Sequence, residues 1–248
     1  MSSIKISNIQ KNNGELTFTI ENMNVSLVNA IRRTILSEIP TVVIRTTPYE
    51  KNDAEFITNT TRFHNEMLKH RLSCIPIHIS DHSIDLDNYI IECNMKNDTD
   101  NNILVTTEHF KIKNIITDKY LSKEETNKIF PPDPFTKDYI VFTKLRPSIS
   151  DDIPGEKIHF KAKMTISNVN EDSTFNVVSN CSYSFSVDNI QQDKQWSIKA
   201  KELKDSGMNE ELLITEKSNW YLQEGKRYYK KEHFDFIIKT LGVFTNEQ

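Results

Sequence analysis

Apolar and polar residues alternate along "IKISNIQKNNGELTFTIENMN" in two short runs separated by "KNNG". That pattern predicts a β-hairpin whose turn residues tolerate positive φ. The period then changes. Over residues 25–39, Val28, Ile31, Ile35 and Ile39 recur at helical spacing, and Leu27, Ala30 and Leu36 widen the apolar stripe beyond half the circumference. A surface helix buries roughly a third of its face, so this one lies in a core or docks on two sides. Asn24 or Ser26 can cap it, Pro40 ends it, and "TVVIRTTPYE" follows as a strand. Next, "NTTRFHNEMLKHRLSCIPIHI" predicts a short helix begun near Thr60 or Thr61, then a strand around residues 75–79.

Between about residues 88 and 181 the signals are mostly β: "NYIIECNM", "NILVTTEHFKI", "DYIVFTKL", "KIHFKAKMTI" and "NCSYSFSV". One short helix, "LSKEETNKIF", and the turn-forming "FPPDPF" interrupt them. The last quarter is helical ("DKQWSIKAKELKDSG", "MNEELLITEKSNWYLQEG") and closes on one strand, "HFDFIIKTLGVF". Strand, strand, helix and strand at the start and an isolated strand near the end bracket a β-rich middle. The expected fold is therefore α+β: one domain built from both chain ends, residues 1–48 and 182–248, with a β-rich domain, residues 49–181, inserted into it.

Composition narrows the function classes. The 248 residues carry a net charge of −4, so no chain-wide basic footprint is present, and five glycines form no phosphate-binding loop motif. Cys74, Cys93 and Cys181 are widely spaced and odd in number, which predicts a reducing, intracellular setting without a disulfide framework or zinc ribbon. Neither a secretion signal nor a membrane span is expected.

Candidate chemistry is sparse. "HNEMLKH" fails as a zinc-protease signature because His64 and His70 are six apart rather than four. Cys74 and Cys93 sit in apolar runs and read as core. The acidic pairs Glu124–Glu125, Asp151–Asp152 and Glu210–Glu211 read as solvated turns or helix faces. Lys111, Lys113, Lys161 and Lys163 alternate with apolar residues; they make nucleic-acid binding by the insert conceivable, but read first as the solvent face of strands. Arg32 and Arg33 stand mid-helix, where no phosphate site forms. They read either as arginines snorkelling over apolar neighbours or as the border of an apolar docking face. No catalytic residue, cofactor or metal is expected.

Three blocks resemble the alpha-like subunits of multi-subunit DNA-dependent RNA polymerases, the family of the eukaryotic third-largest subunit and its archaeal counterpart. "VSLVNAIRRTILSEIPTVVI" is similar to the family's first helix and following strand, through Asn29, Arg32, Arg33, Ile35, Leu36, Glu38 and Pro40. "NTTRFHNEMLKHRLSCIPIHI" resembles its second signature, through His64, Glu66, His70, Arg71, Leu72, Ile75 and Pro76. "FDFIIKTLGVF", with Phe234, Phe236 and Gly242, is similar to the strand and glycine turn ahead of the family's C-terminal dimerisation helix.

The resemblance implies a non-catalytic assembly platform. Its first helix would pair with a small alpha-like subunit, and that helix together with segment 60–79 would hold the second-largest subunit. All the residues just named except Ile75 and Pro76 are carried over as interface positions. Nucleic acid would be met only through the complex, with no small-molecule substrate and no membrane. The location would be intracellular: the nucleus in a cell, host cytoplasm or virion for a viral chain. Departures accompany the likeness. The four-cysteine zinc loop and the iron–sulfur cysteines of many members have no counterpart, and "TFNVVSNCSYSF" replaces an Ala-Lys-(Phe/Trp)-Ser-Pro type motif. The family's long dimerisation helix would follow Gln248. This mixture resembles polymerase subunits of large cytoplasmic DNA viruses. The competing reading is a stand-alone ligand-binding or enzymatic α+β protein that shares the fold.

Overall fold

The computed structural model describes residues 3–12, 14–150 and 152–248. Asn13 of the expected hairpin turn and Asp151 of the acidic pair lie outside them. In chain order the elements begin with β1 (Lys5–Asn12), β2 (Glu15–Glu21), α1 (Val25–Ser37), β3 (Thr41–Val43), β4 (Ala54–Asn59) and α2 (Asn65–Ser73). Next come β5 (Tyr89–Lys96), β6 (Ile103–Thr106), β7 (Lys111–Asn114), β8 (Lys119–Tyr120), α3 (Lys123–Ile129) and β9 (Val141–Leu145). The chain continues through β10 (Lys157–Lys163), β11 (Thr165–Ser167), β12 (Val178–Val187), α4 (Asn189–Asp205), α5 (Glu210–Leu222) and β13 (Tyr229–Thr240). The architecture is α+β.

Two compact units result: Met1–Ile35 with Val178–Lys239, and Leu36–Val177 with Thr240–Gln248. Both chain ends contribute to the first, but its limits differ from the expected 1–48 and 182–248. Residues 41–43 fall in the second unit because β3 pairs with β11, Thr41 opposite Ser167, and because Val42 and Ile44 join that unit's core. After β13, Leu241 N–H donates to the Val177 carbonyl at 3.0 Å, which keeps the last residues with the second unit.

In the first unit an antiparallel sheet runs β1-β2-β13-β12. Ile20 stands opposite Phe234 and Phe18 opposite Phe236, so alternate residues of both strands share one face. There they meet Met23 and Val28, the latter from α1, and the Phe18 and Phe236 rings stack with centroids 5.2 Å apart. Asn24 rather than Ser26 caps α1: its Oδ1 accepts from Ser26 N–H at 2.8 Å. A bulge between Ser7 and Gln10 places Asn8 at φ 53°, a conformation asparagine tolerates. Between β12 and β13, α4 and α5 pack as a hairpin around the buried Trp196 and Trp220, whose ring centroids are 5.6 Å apart. Gly225 lies close against this pair, since a Cβ there would stand 3.1 Å from both Cζ3 and the carbonyl oxygen of Trp220.

The second unit holds a five-stranded sheet, β4-β10-β5-β7-β8, and two ribbons, β11-β3 and β6-β9. Phe110, Phe142 and Phe160 form the centre of its core, with ring centroids 5.2–5.7 Å apart. Leu68 and Leu72 of α2 and Ile91 and Ile112 of the sheet close around them.

Several expected elements differ. No strand forms at residues 75–79, although Ile75, Ile77 and Ile79 are buried in alternation. Pro76 has no N–H, and His78 N–H donates to Ile129 in α3 rather than to a strand, so extended backbone stays without a ladder. α2 starts at Asn65 because Asn59 Oδ1 accepts from both the backbone and the hydroxyl of Thr61, at 2.9 and 2.7 Å, holding that residue in a turn. "NILVTTEHFKI" is two strands in different sheets, split by a 3-10 turn that Thr106 and His109 cap reciprocally. "KIHFKAKMTI" likewise divides into β10 and β11, and β4, unforeseen, pairs with β10.

Candidate functional site

α1 leaves part of its apolar stripe uncovered. Of its apolar residues Val28 alone is fully buried; Ile31, Ile35 and Leu36 are half-buried, and Val25 and Leu27 remain 43% and 57% exposed. Edge strand β1 adds exposed Ile6 and Ile9 to the same unit. An apolar helix covered on one side only costs solvation unless something else covers the rest. The two arginines behave differently. Arg32 is half-buried, and its Nε and one terminal nitrogen both donate to Asn29 Oδ1, at 3.1 and 3.0 Å, so Asn29 fixes the fork. Its charge works against the burial that pushes the Cys181 thiol up. Arg33 is exposed, as are Glu38 and Pro40; Glu38 accepts from Asn170 Nδ2 at 3.0 Å.

On α2 the second block exposes His64, Glu66, His70 and Arg71 and buries Leu72. His64 is the N-cap, its Nδ1 accepting from Met67 N–H at 3.4 Å, and Glu66 pairs with Lys69 at 3.2 Å. Arg71 reaches across to β9, donating to the Phe142 and Val141 carbonyls at 2.7 and 2.9 Å.

Three of the expected interface positions are buried within the chain itself: Phe234, Phe236 and Leu72 are 1%, 0% and 0% exposed. They point inward because the register of β13 on β2, and the α2 face bearing Leu68, direct them into core. Gly242 is exposed at φ 97°, a backbone position that favours glycine.

From the sequence, no pair among His78, His82, His109, His159 and His233 reads as standing at ligand spacing, although His78 and His82 are four residues apart. Burial lowers the His78 pKa, and His78 Nδ1 and His82 Nε2 are buried without a hydrogen-bond partner among the described residues. Among the described residues no group of three His, Cys, Asp or Glu side chains is placed to hold a metal ion. Nor, among the described residues, is any helix long and apolar enough to cross a membrane.

The first unit is thus a discontinuous α+β domain with a part-covered apolar helix, and the second takes the residues between its two segments together with Thr240–Gln248. The chain belongs to the family of the RNA polymerase Rpb3/Rpb11 dimerisation domain, whose model matches residues 17–248. It is similar to DNA-directed RNA polymerase subunit Rpo3 of Pyrococcus horikoshii, 33% identical over 84 residues, 34% of this chain and 30% of the relative. A longer match, 25% identical over 184 residues, covers 71% of this chain and 59% of Rpo3 of Methanosphaera stadtmanae. DNA-directed RNA polymerase II subunit RPB3 of Schizosaccharomyces pombe is 38% identical over 74 residues, 30% of this chain and 22% of the relative. The chain thus spans less than two thirds of the length of each of these relatives.

Proposed function

We propose that this chain is a non-catalytic assembly subunit of an intracellular DNA-directed RNA polymerase. It heterodimerises with a small alpha-like subunit through the first unit and holds the second-largest subunit through α1 and the 60–79 segment. Nucleotidyl transfer belongs to the large subunits. The observation that carries this reading is α1: a helix of a dimerisation-domain family that leaves Val25 and Leu27 in solvent. Obligate interfaces are built from such faces, bury on the order of 2,000 Å² or more and resemble a core cut in half. Arginines at the border suit this role, since a planar, always-charged fork on an apolar stem binds well where water is excluded.

The test is co-expression with the small and second-largest subunits of the same source, read by light scattering and pull-down. A one-to-one heterodimer with the small subunit is expected. Arg32→Ala with Arg33→Ala should abolish capture of the large subunit while sparing the heterodimer, at about 2 kcal/mol or more for each truncated hot-spot arginine. A lone monomer that ignores both partners would favour a stand-alone protein on the same fold.

A further inference from the structure

We propose that the outer face of the five-stranded sheet in the second unit binds single-stranded nucleic acid. Register carries the argument. Lys161 stands opposite Glu92 and Glu92 opposite Lys111; Lys163 stands opposite Ile90 and Ile90 opposite Lys113; Lys157 stands opposite Lys96. Directly opposed residues share a face, so six lysines from three adjacent strands, β10, β5 and β7, project to one side. The other side is the core, where Ile91, Cys93, Ile112, Phe160 and Ala162 are buried.

The acids on this face are Glu92, Glu55, which stands opposite Lys161, and Asp53, which lies beside Lys163 and is 3.6 Å from Arg45 Nε. Glu92 is already engaged: it accepts from Tyr120 at 2.6 Å, lies 3.0 Å from His159 Nε2 and 3.9 Å from Lys161. Asp98 and Asp118 pair with Lys96 and Lys113 from the flanking turns. Among the described residues Lys111, Lys157 and Lys163 make no ion pair within 4.0 Å. A local excess of fixed cations therefore stands on a chain whose net charge is −4.

Aromatic surface lies among those cations. Tyr120 is 51% exposed, its hydroxyl held by Glu92, with the Lys111 and Lys113 ammoniums 5.9 and 5.8 Å from its ring centroid. Beside it opens a cavity of about 710 Å³, within the size range of ligand sites, lined in part by Asn94, Asn127, Lys111, Glu92 and by Lys123, which pairs with Glu108 at 2.8 Å. Lysines at every second residue of a strand repeat at about 7 Å, a regular array suited to successive phosphates. A half-exposed ring suits a base, because every base offers a π-face. An acidic protein segment would use the lysines but has no need of the ring or the cavity, so nucleic acid is the better fit.

The test uses the full chain and labelled oligothymidine and oligouridine, followed by anisotropy across a salt series. Binding of either strand is expected, with an affinity that falls linearly in log–log form as salt rises. Lys111→Ala, Lys161→Ala and Lys163→Ala together should flatten that slope by about 2, at about 0.7 for each phosphate no longer neutralised. Tyr120→Leu should weaken binding about tenfold, within the range for loss of one stacked base, and Tyr120→Phe should retain it. Lys201→Ala with Lys204→Ala on α4 should change nothing, and circular dichroism checks that each variant folds. The proposal is overturned if neither strand binds, if the triple variant keeps the wild-type slope, or if polyglutamate binds as tightly as the oligonucleotides. This result is independent of the assembly experiment.

Discussion

Arg71 does more for the fold than its exposure suggests. Its guanidinium ties α2 to two consecutive carbonyls of β9 and lies 5.9 Å from the Phe63 ring centroid. Arg71→Ala should lower stability by about 1.5–3 kcal/mol, the usual worth of hydrogen bonds from a charged group, measured by urea unfolding. Arg71→Lys should recover little of it, because an ammonium cannot reproduce the planar fork. Glu92 gives a pH signature. Hydrogen bonds from Tyr120 and His159 hold its carboxyl below the usual carboxylate value. The stability it contributes is thus present above the unfolded carboxylate pKa and lost as pH falls through the lower folded value. Glu92→Gln should make stability decline less steeply on the acid side of about pH 4.3, the unfolded value; an unchanged pH profile would contradict this. Both residues could be read as polar positions in the sequence. Their partners could not: the acceptor of Arg71 lies 71 residues away and that of Tyr120 lies 28 residues away.

α1 and β13 show which parts of an element the pattern reveals. The wide stripe of α1 was legible because a helical period needs no knowledge of neighbours, and its actual end at Ser37 precedes the expected one by two residues. Which part of the stripe is covered depends on the sheet and was not legible. The same limit explains why the burial of Phe234 and Phe236, set by the register of β13 on β2, was not legible either. Mutations should separate buried from exposed positions. Phe236→Ala should cost about 3–5 kcal/mol of stability, as large-to-small core changes do. Leu27→Asp, on an exposed position, should move stability by no more than about 0.5 kcal/mol yet block the proposed heterodimer, as read by co-purification. Where local pattern and pairing separate, as at residues 75–79, alternation marks burial rather than a strand.

Over the whole chain, the α+β class and the contribution of both ends to one unit followed from element order. The boundaries did not, because short strands such as β3 take their allegiance from a partner more than a hundred residues away. Family membership spans nearly the whole length, residues 17–248, and so covers both units. Sequence placed the four alternating lysines of the insert on strands, but only pairing brings them, with Lys96 and Lys157, onto one face beside Tyr120.

The chain has two tryptophans, and both lie in the α4–α5 hairpin of the first unit, buried at 8% and 4% exposure. Nature has thereby built an optical probe into one unit and left the other dark. Native emission should be blue-shifted and should move to the red as that unit opens. In Phe236→Ala it should do so at lower urea than in the wild type. A partner that grips the hairpin will declare itself in the same spectrum, without any label being attached.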